Sequence, residues 1–168
     1  AFAQASTWNV DSSHTQTIFG VKHLVISTVK GEFGKTTGVV TLDEKDVTKS
    51  KVEATVEVAS INTREPKRDE HLKSADFFDA AKYPTIAFKS TKVEKSGEGK
   101  LKVTGDLTMR GVTKPVTLDV TGPTAEIKDA YGNARRGIAA SGKVSRKDFG
   151  IAWNKLVEAG PVVGDEVS

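Results

Sequence analysis

Three histidines, His14, His23 and His71, supply all the imidazole in this 168-residue chain, and there is no cysteine. Disulfides, thiolate nucleophiles, iron–sulfur ligation and cysteine zinc sites are therefore excluded. No pair of histidines has H-x-H or H-E-x-x-H spacing, so no metal site is preassembled. Asp11-Ser12-Ser13-His14 holds the residue types of a catalytic triad. Such a relay needs side chains converging in a set geometry, which four consecutive residues do not provide, and they read as turn and capping residues. There is no G-x-S-x-G elbow, P-loop or G-x-G-x-x-G. Asp76 and Asp79 flank Phe77-Phe78 and read as solvated loop carboxylates. Arg135-Arg136 and Arg146-Lys147 lack interleaved aromatics, so they read as a solvated face with no nucleic-acid partner. No catalytic residue and no metal ligand set is assigned. His23 shares strand parity with Phe19 and Val21, which puts its ring on an inward face. It is a satisfied structural histidine, a hydrogen-bond partner for a ligand's polar head, or a lone metal ligand.

The elements that would position His23 are strands. The chain has 20 Val, 18 Thr and 7 Ile against seven Leu, and side chains stiff at χ1 suit a pleated surface better than a helix. Strict apolar/polar alternation marks a strand with one dry and one wet face. It runs through Lys51–Val58, with Val52, Ala54, Val56 and Val58 on one side, and through eleven residues of Lys100–Arg110. Val116, Leu118 and Val120 alternate next, followed by Ile138, Ala140, Gly142 and Val144 after a Tyr131-Gly132-Asn133 turn. Shorter candidates are Trp8–Val10, Thr17–His23, Val29–Phe33, Val39–Leu42, Ile86–Val93 and Ala125–Ile127. One stretch departs: Pro66 opens a short helix, and Ala75–Ala81 adds a second helical turn, giving one helical excursion near residues 65–82.

About eight one-faced strands need a place to hide a continuous apolar face, and a sandwich or a closed barrel supplies it. The barrel is favoured because the longest strands, about 25 to 35 Å at 3.3 Å per residue, gain most from losing their edges. An eight-stranded barrel is either filled by side chains or holds one small ligand. Ala54, Gly105, Ala140 and Gly142 face inward and are small, which leaves volume. Phe19, Phe33, Phe88, Phe149 and Trp153 are large enough to fill it.

The chain's length fits one domain, with roughly 8,000 Å² of folded surface. Its net charge of +3, from 25 Lys+Arg and 22 Asp+Glu with the signs interspersed, names no partner. No apolar run approaches the ~18 residues of a spanning helix. Ala1-Phe2-Ala3-Gln4 reads as the small-residue end of a secretory signal. Residues 1–6 are accordingly set aside as a residual tail, residues 7–168 form the domain, and the expected location is the periplasm.

Several strings in one order carry a resemblance. TWNVDSSHT (Thr7–Thr15), FGVKHL (Phe19–Leu24) and GEF (Gly31–Phe33) come first. RDEHLKSADFFDAAKYPTIAFKS (Arg68–Ser90), GDLTMRGVTKPV (Gly105–Val116), SRKDFGI (Ser145–Ile151) and VGDEV (Val163–Val167) follow. From about Trp8 to Val167 the chain resembles the bacterial YceI-like proteins. The resemblance implies an all-β fold, an eight-stranded antiparallel lipocalin-like barrel whose interior holds a long isoprenoid or similar amphiphilic lipid. It also implies an exported homodimer whose membrane contact is transient. Members usually continue beyond VGDEV, which makes the seam beside Val167 the place where closure is tested. On this reading the protein is noncatalytic and carries or sequesters the lipid, and needs no cofactor beyond that isoprenoid or quinone-like ligand. Phe19, Val21, Phe33, Phe88, Leu107, Met109, Phe149 and Trp153 are the expected tail contacts, with His23 at the polar end. The rival readings are an enzyme acting on a lipid or quinone headgroup and an adaptor domain with a filled core.

Overall fold

The computed structural model describes residues 5–157 and 160–168. In chain order the strands are β1 (Ala5–Asn9), β2 (Thr17–His23), β3 (Ser27–Phe33), β4 (Thr36–Asp43), β5 (Lys51–Glu57), β6 (Ile61–Asn62), β7 (Thr85–Gly97), β8 (Lys100–Met109) and β9 (Val112–Thr121). The short strands β10 (Ile127–Lys128), β11 (Ala134–Arg135), β12 (Ala139–Ser141), β13 (Val144–Ser145), β14 (Leu156–Val157) and β15 (Gly160–Pro161) precede β16 (Val163–Val167). The helix α1 spans Pro66–Lys73. All strand pairings are antiparallel.

Several of these strands are halves of longer paths. β3 and β4 are separated only by Gly34-Lys35, and β1 and β2 run along their two halves, pairing Trp8 with Val40 and Thr17 with Phe33. A 3-10 turn at Val58–Ser60 divides β5 from β6, and Gly142-Lys143 divides β12 from β13. One large sheet runs β1-β4-β5-β7-β8-β9-β12 and a second runs β13-β16-β2-β3-β6. With the broken strands joined, about eight antiparallel paths curl into a lipocalin-like barrel. The seam beside Val167 is hydrogen-bonded: β16 lies between β2 and β13, pairing Val167 with both Val21 and Val144. Ser168 and Gly20 exchange backbone bonds of 2.9 and 3.0 Å just beyond it. Closure is partial, because among the described residues the outer edge of β1 and the Val112–Leu118 flank of β9 have no strand partner. The wall is a curled half-barrel rather than a sealed tube.

Three differences from the sequence pattern have local causes. The alternation over Ile138–Val144 yields two short strands, since the chain leaves β9 at Gly142, where a Cβ would lie 2.7 Å from Leu118 Cδ2, and crosses to β16. Ala75–Ala81 forms successive turns instead of helix. Backbone bonds from Phe77 and Asp79 to Ser74 and from Phe78 to Leu72 wind it tightly, with Asp79 in the left-handed region. Finally, Ala5 and Ser6 join the sheet opposite Asp43 and Leu42, so strand β1 starts inside the segment set aside as a tail. Residues 1–4 of that segment lie outside the described residues.

The helix follows its sequence signals. Pro66 occupies the first turn, and the Glu65 carboxylate caps it by accepting from the Lys67 backbone N–H. No helix of the described chain is long and apolar enough to cross a membrane.

Candidate functional site

The base of the barrel is held together by the very motifs that carry the resemblance. Arg146, in SRKDFGI, has a side chain only 5% exposed. It donates to the carbonyls of Ile151 (2.7 Å), Gly164 (2.8 Å), Trp153 (2.9 Å) and Val163 (3.3 Å). Burial pulls its pKa below the ordinary arginine value and Asp165 opposes that pull; it stays charged because an arginine starts so high. Arg110, in GDLTMRGVTKPV, donates to the carbonyls of Gly150 and Ala75. Arg68 reaches Thr63 O (2.6 Å), and Asp69 accepts from the Thr63 hydroxyl (2.6 Å). Arg146, Arg68 and Asp69 thereby satisfy wholly or partly buried carbonyls and donors, while Arg110 ties two exposed loop residues together.

Against this scaffold sit two aromatic groups. Phe77, Met109, Phe149 and Ile151 form one buried cluster, with Phe149 1% exposed. His71 meets Phe77 and Trp153 edge-on at 5.0 and 4.9 Å, and its Nε2 lies 2.9 Å from Asp76 Oδ2. Phe33, Val56 and Ile61 form the second cluster, extended by Phe19 at 5.5 Å and Phe78 at 5.8 Å from Phe33.

Above the base the inner wall is different. Register places Trp8, Val40, Val52 and Ala54 on one inward stripe and Phe88, Leu107, Val116 and Leu118 on another. All are only partly buried, although they share a strand face with buried residues such as Leu42, Val56 and Val103. Buried apolar residues fall into three separate clusters instead of one continuous core. The accessible surface, 10729 Å², is about a third above the ~8,000 Å² of a filled globule of this mass. The excess belongs to a protein whose inner faces do not all meet.

Small inward residues are not the source of that space. A Cβ on Gly105 would lie 2.6 Å from Phe88 Cζ, and one on Gly31 would collide with the Phe19 ring. These glycines admit aromatic rings rather than leaving room.

At the far rim, Trp8 donates its indole N–H to Ser6 Oγ at 2.8 Å, and the Arg136 guanidinium lies over its ring at 5.0 Å. Arg136 also bonds Thr124 O and Glu44, while its Nε has no partner among the described residues. Arg135 bridges Asp11 (2.6 Å) and Asp129 (3.0 Å). The Ser13 hydroxyl, His14 and Arg135 hold the Asp11 carboxyl far below the usual range. His14 Nδ1 contacts both Asp11 (2.8 Å) and Ser13 (3.1 Å). A relay needs the acid and the nucleophile on opposite ring nitrogens, so this arrangement is a capped turn. An open groove of about 530 Å³ separates β1 from the β10–β11 hairpin, and a smaller one of about 240 Å³ lies between β13 and β16. None of the expected lipid contacts lines either groove.

Of those nine residues, Phe33, Met109 and Phe149 are built into the base, and Trp153 and Leu107 pack against it. Phe19 joins the second cluster, and Phe88 packs against the Val93, Leu101, Val103 and Val120 group. Val21 and His23 lie on the inward face of β2, and among the described residues no carboxylate pairs with the His23 ring. The structure thus divides the nine between base and wall. Sequence reasoning did not name Trp8, Val40 and Val52, on the opposite stripe, or Leu118, beside Phe88, among the tail contacts. Strand parity was its signal, but parity without register does not say which strands face each other.

A YceI-like domain model matches residues 8–168. The chain is 42% identical over 151 residues to the YceI protein of Escherichia coli O157:H7, covering 89% of this chain and 78% of that one. It is 41% identical over 151 residues to a UPF0312 protein of Vibrio parahaemolyticus, covering 89% and 79%. Among solved structures, BcnA of Burkholderia cenocepacia superposes with a TM-score of 0.79 at 25% identity, covering 94% of each chain. A polyisoprenoid-binding domain from Saccharophagus degradans superposes with a TM-score of 0.64 at 15% identity, covering 98% of this chain and 92% of that one, a likeness of fold.

Proposed function

The chain belongs to the YceI-like family, and from that premise we propose that it binds a long isoprenoid or similar amphiphilic lipid against the inner wall, as a noncatalytic carrier or sequestering protein. One observation carries this reading: an inward-facing apolar stripe that remains partly exposed although a filled core would have covered it. Apolar surface of this kind marks a binding site. The shared fold of the Saccharophagus polyisoprenoid-binding domain supports the choice of lipid.

The residues divide the work. Phe19, Val21, Phe88, Leu107 and Trp153 contact the tail along the wall, while Phe33, Met109 and Phe149 form the floor on which it ends. His23 meets the polar end. Each CH₂ taken from water is worth about 0.8 kcal/mol, so a long tail counted against water would exceed the affinity ceiling of about 20 kcal/mol. The tail's actual alternative is a bilayer, where that gain nearly cancels. Selectivity then rests on the shape of the wall and on contacts to the head. We place this activity in the periplasm after export, in a homodimer.

Native mass spectrometry of freshly purified protein, followed by solvent extraction, tests the reading. A prenyl lipid released from the folded protein is the expected result; protein that stays empty and takes up no prenyl alcohol overturns it. His23→Ala is expected to weaken retention of a lipid with a polar head and to leave uptake of a headless prenyl hydrocarbon unchanged.

A further inference from the structure

The turn joining β2 to β3 breaks the usual rules for an exposed hairpin. The Ile26 backbone N–H closes it on His23 O at 3.3 Å, leaving Leu24 at φ 52° and Val25 at φ 66°. Turns with two central residues of positive φ are normally made with Asn, Asp or Gly, and a β-branched residue there is strained. Packing does not compensate the strain: Val25 is 57% exposed and Ile26 83%. The Leu24 N–H bonds Val162 O at 2.9 Å, and Val162 N–H bonds Lys155 O at 2.9 Å. These bonds tie the tip to the β14–β15 hairpin, where Val157 is 41% exposed. Exposed Lys22 and Lys155 flank the residues that hold the tip, and exposed Lys30 lies further along β3 opposite Gly20; among the described residues none of them makes an ion pair.

We propose that the Leu24–Ile26 turn, with Val157 beside it, is an anchor that seats the protein on an anionic phospholipid bilayer. Val25 and Ile26 enter the boundary between headgroups and acyl chains while the lysines meet lipid phosphates, the division of labour of interfacial anchors. The size of the patch favours a bilayer over a second copy of the chain. Four apolar side chains offer on the order of 400 Å², about half of the ~800 Å² that each partner gives to a standard interface. Placement agrees: His23, Val21 and Phe19 face inward in succession from the tip toward the base, so a chain leaving the bilayer at the tip meets these three side chains first. This inference rests on the lipid-binding reading above and names where the lipid is collected.

Vesicle sedimentation tests it, using phosphatidylethanolamine/phosphatidylglycerol (3:1) and pure phosphatidylcholine vesicles. The protein is expected to bind the anionic vesicles at least tenfold more tightly, and 0.5 M salt is expected to remove most of that preference. The double variant Val25→Asp, Ile26→Asp is expected to lose at least tenfold in anionic-vesicle binding. Val25→Asn, which tolerates positive φ, is expected to raise the melting temperature yet weaken vesicle binding about threefold, which separates anchoring from folding. Unchanged vesicle binding in both variants overturns the proposal, as does a dimer that dissociates in the double variant while vesicle binding persists. Uptake of farnesol from solution is measured alongside. Vesicle binding without farnesol uptake sinks the lipid-binding reading and leaves the anchor standing, and uptake without vesicle binding does the reverse.

Discussion

The base and the upper wall of this barrel use the same residue types to opposite ends. At the base, Phe149, Met109 and Ile151 are buried, and Arg146 gives its donors to four carbonyls, two in the Ile151–Trp153 loop and two on β16. At the wall, Val40, Val52 and Leu118 also face inward on regular strands, but they stay partly exposed and the rim charges pair in water. The base is where helix α1, the 3-10 turn at Arg146–Phe149 and the Phe77-Phe78 segment add a third layer inside the curl. Strands alone cover only one side of an inward side chain. Inward orientation and burial are therefore separate properties: they coincide at the base and in the Val93, Leu101, Val103 and Val120 group, and part company along the stripe between.

The largest expected effect is at the base. Phe149→Ala should cost about 4 kcal/mol, a lost aromatic plus the cavity it leaves, read as a lowered urea midpoint with little change in the slope of unfolding. Arg146→Ala should cost about 3 kcal/mol by stranding buried carbonyls, and Arg146→Lys should recover only a minor part because one ammonium cannot reach four acceptors.

Enlarging a side chain should separate the regions most cleanly. Ile151→Trp overfills the base and should destabilise by about 1–3 kcal/mol. Val40→Trp should move the melting temperature by no more than about 4 °C, since it grows into open space, while cutting uptake of a long prenyl lipid about tenfold. Equal loss of stability in the two variants would show that the wall is as filled as the base.

The smallest effect is at the rim and depends on pH. The Asn133 backbone N–H, then Arg135 and the Tyr131 N–H, lower the Asp129 pKa from 3.8 to about 2. A carboxyl depressed in the folded state contributes stability above its unfolded pKa and loses it as pH falls through the folded value. The protection of the β10–β11 amides, measured against their intrinsic exchange at each pH, should therefore fall between about pH 4 and about pH 2, with the base still protected. A carboxyl NMR titration of Asp129 checks the midpoint.

Much of the fold was legible because period-two alternation is a local property. Lys100–Arg110 and Lys51–Val58 formed strands close to their expected bounds, and Pro66 began a helix where it should. Two segments departed from expectation, one where strands cross between sheets and one through its own turn bonds. Ile138–Val144 split at Gly142 because of Leu118, and Ala75–Ala81 turned in place of continuing the helix. Site residues show the same limit. Parity identified Phe88 and Leu107 as inward, but nothing local distinguished Phe33 and Phe149, which pack into the base, from Val21, which does not.

What the sequence determined by itself was which side of each strand is dry, since that depends only on consecutive residues alternating across a pleat. The family motifs added which chemistry to expect there. Tertiary structure decided which dry faces are covered and which stay partly exposed. That outcome depends on the register between strands, on the arginines that fold the loops inward, and on where the curl leaves an edge unpaired, none of which a run of neighbouring residues encodes.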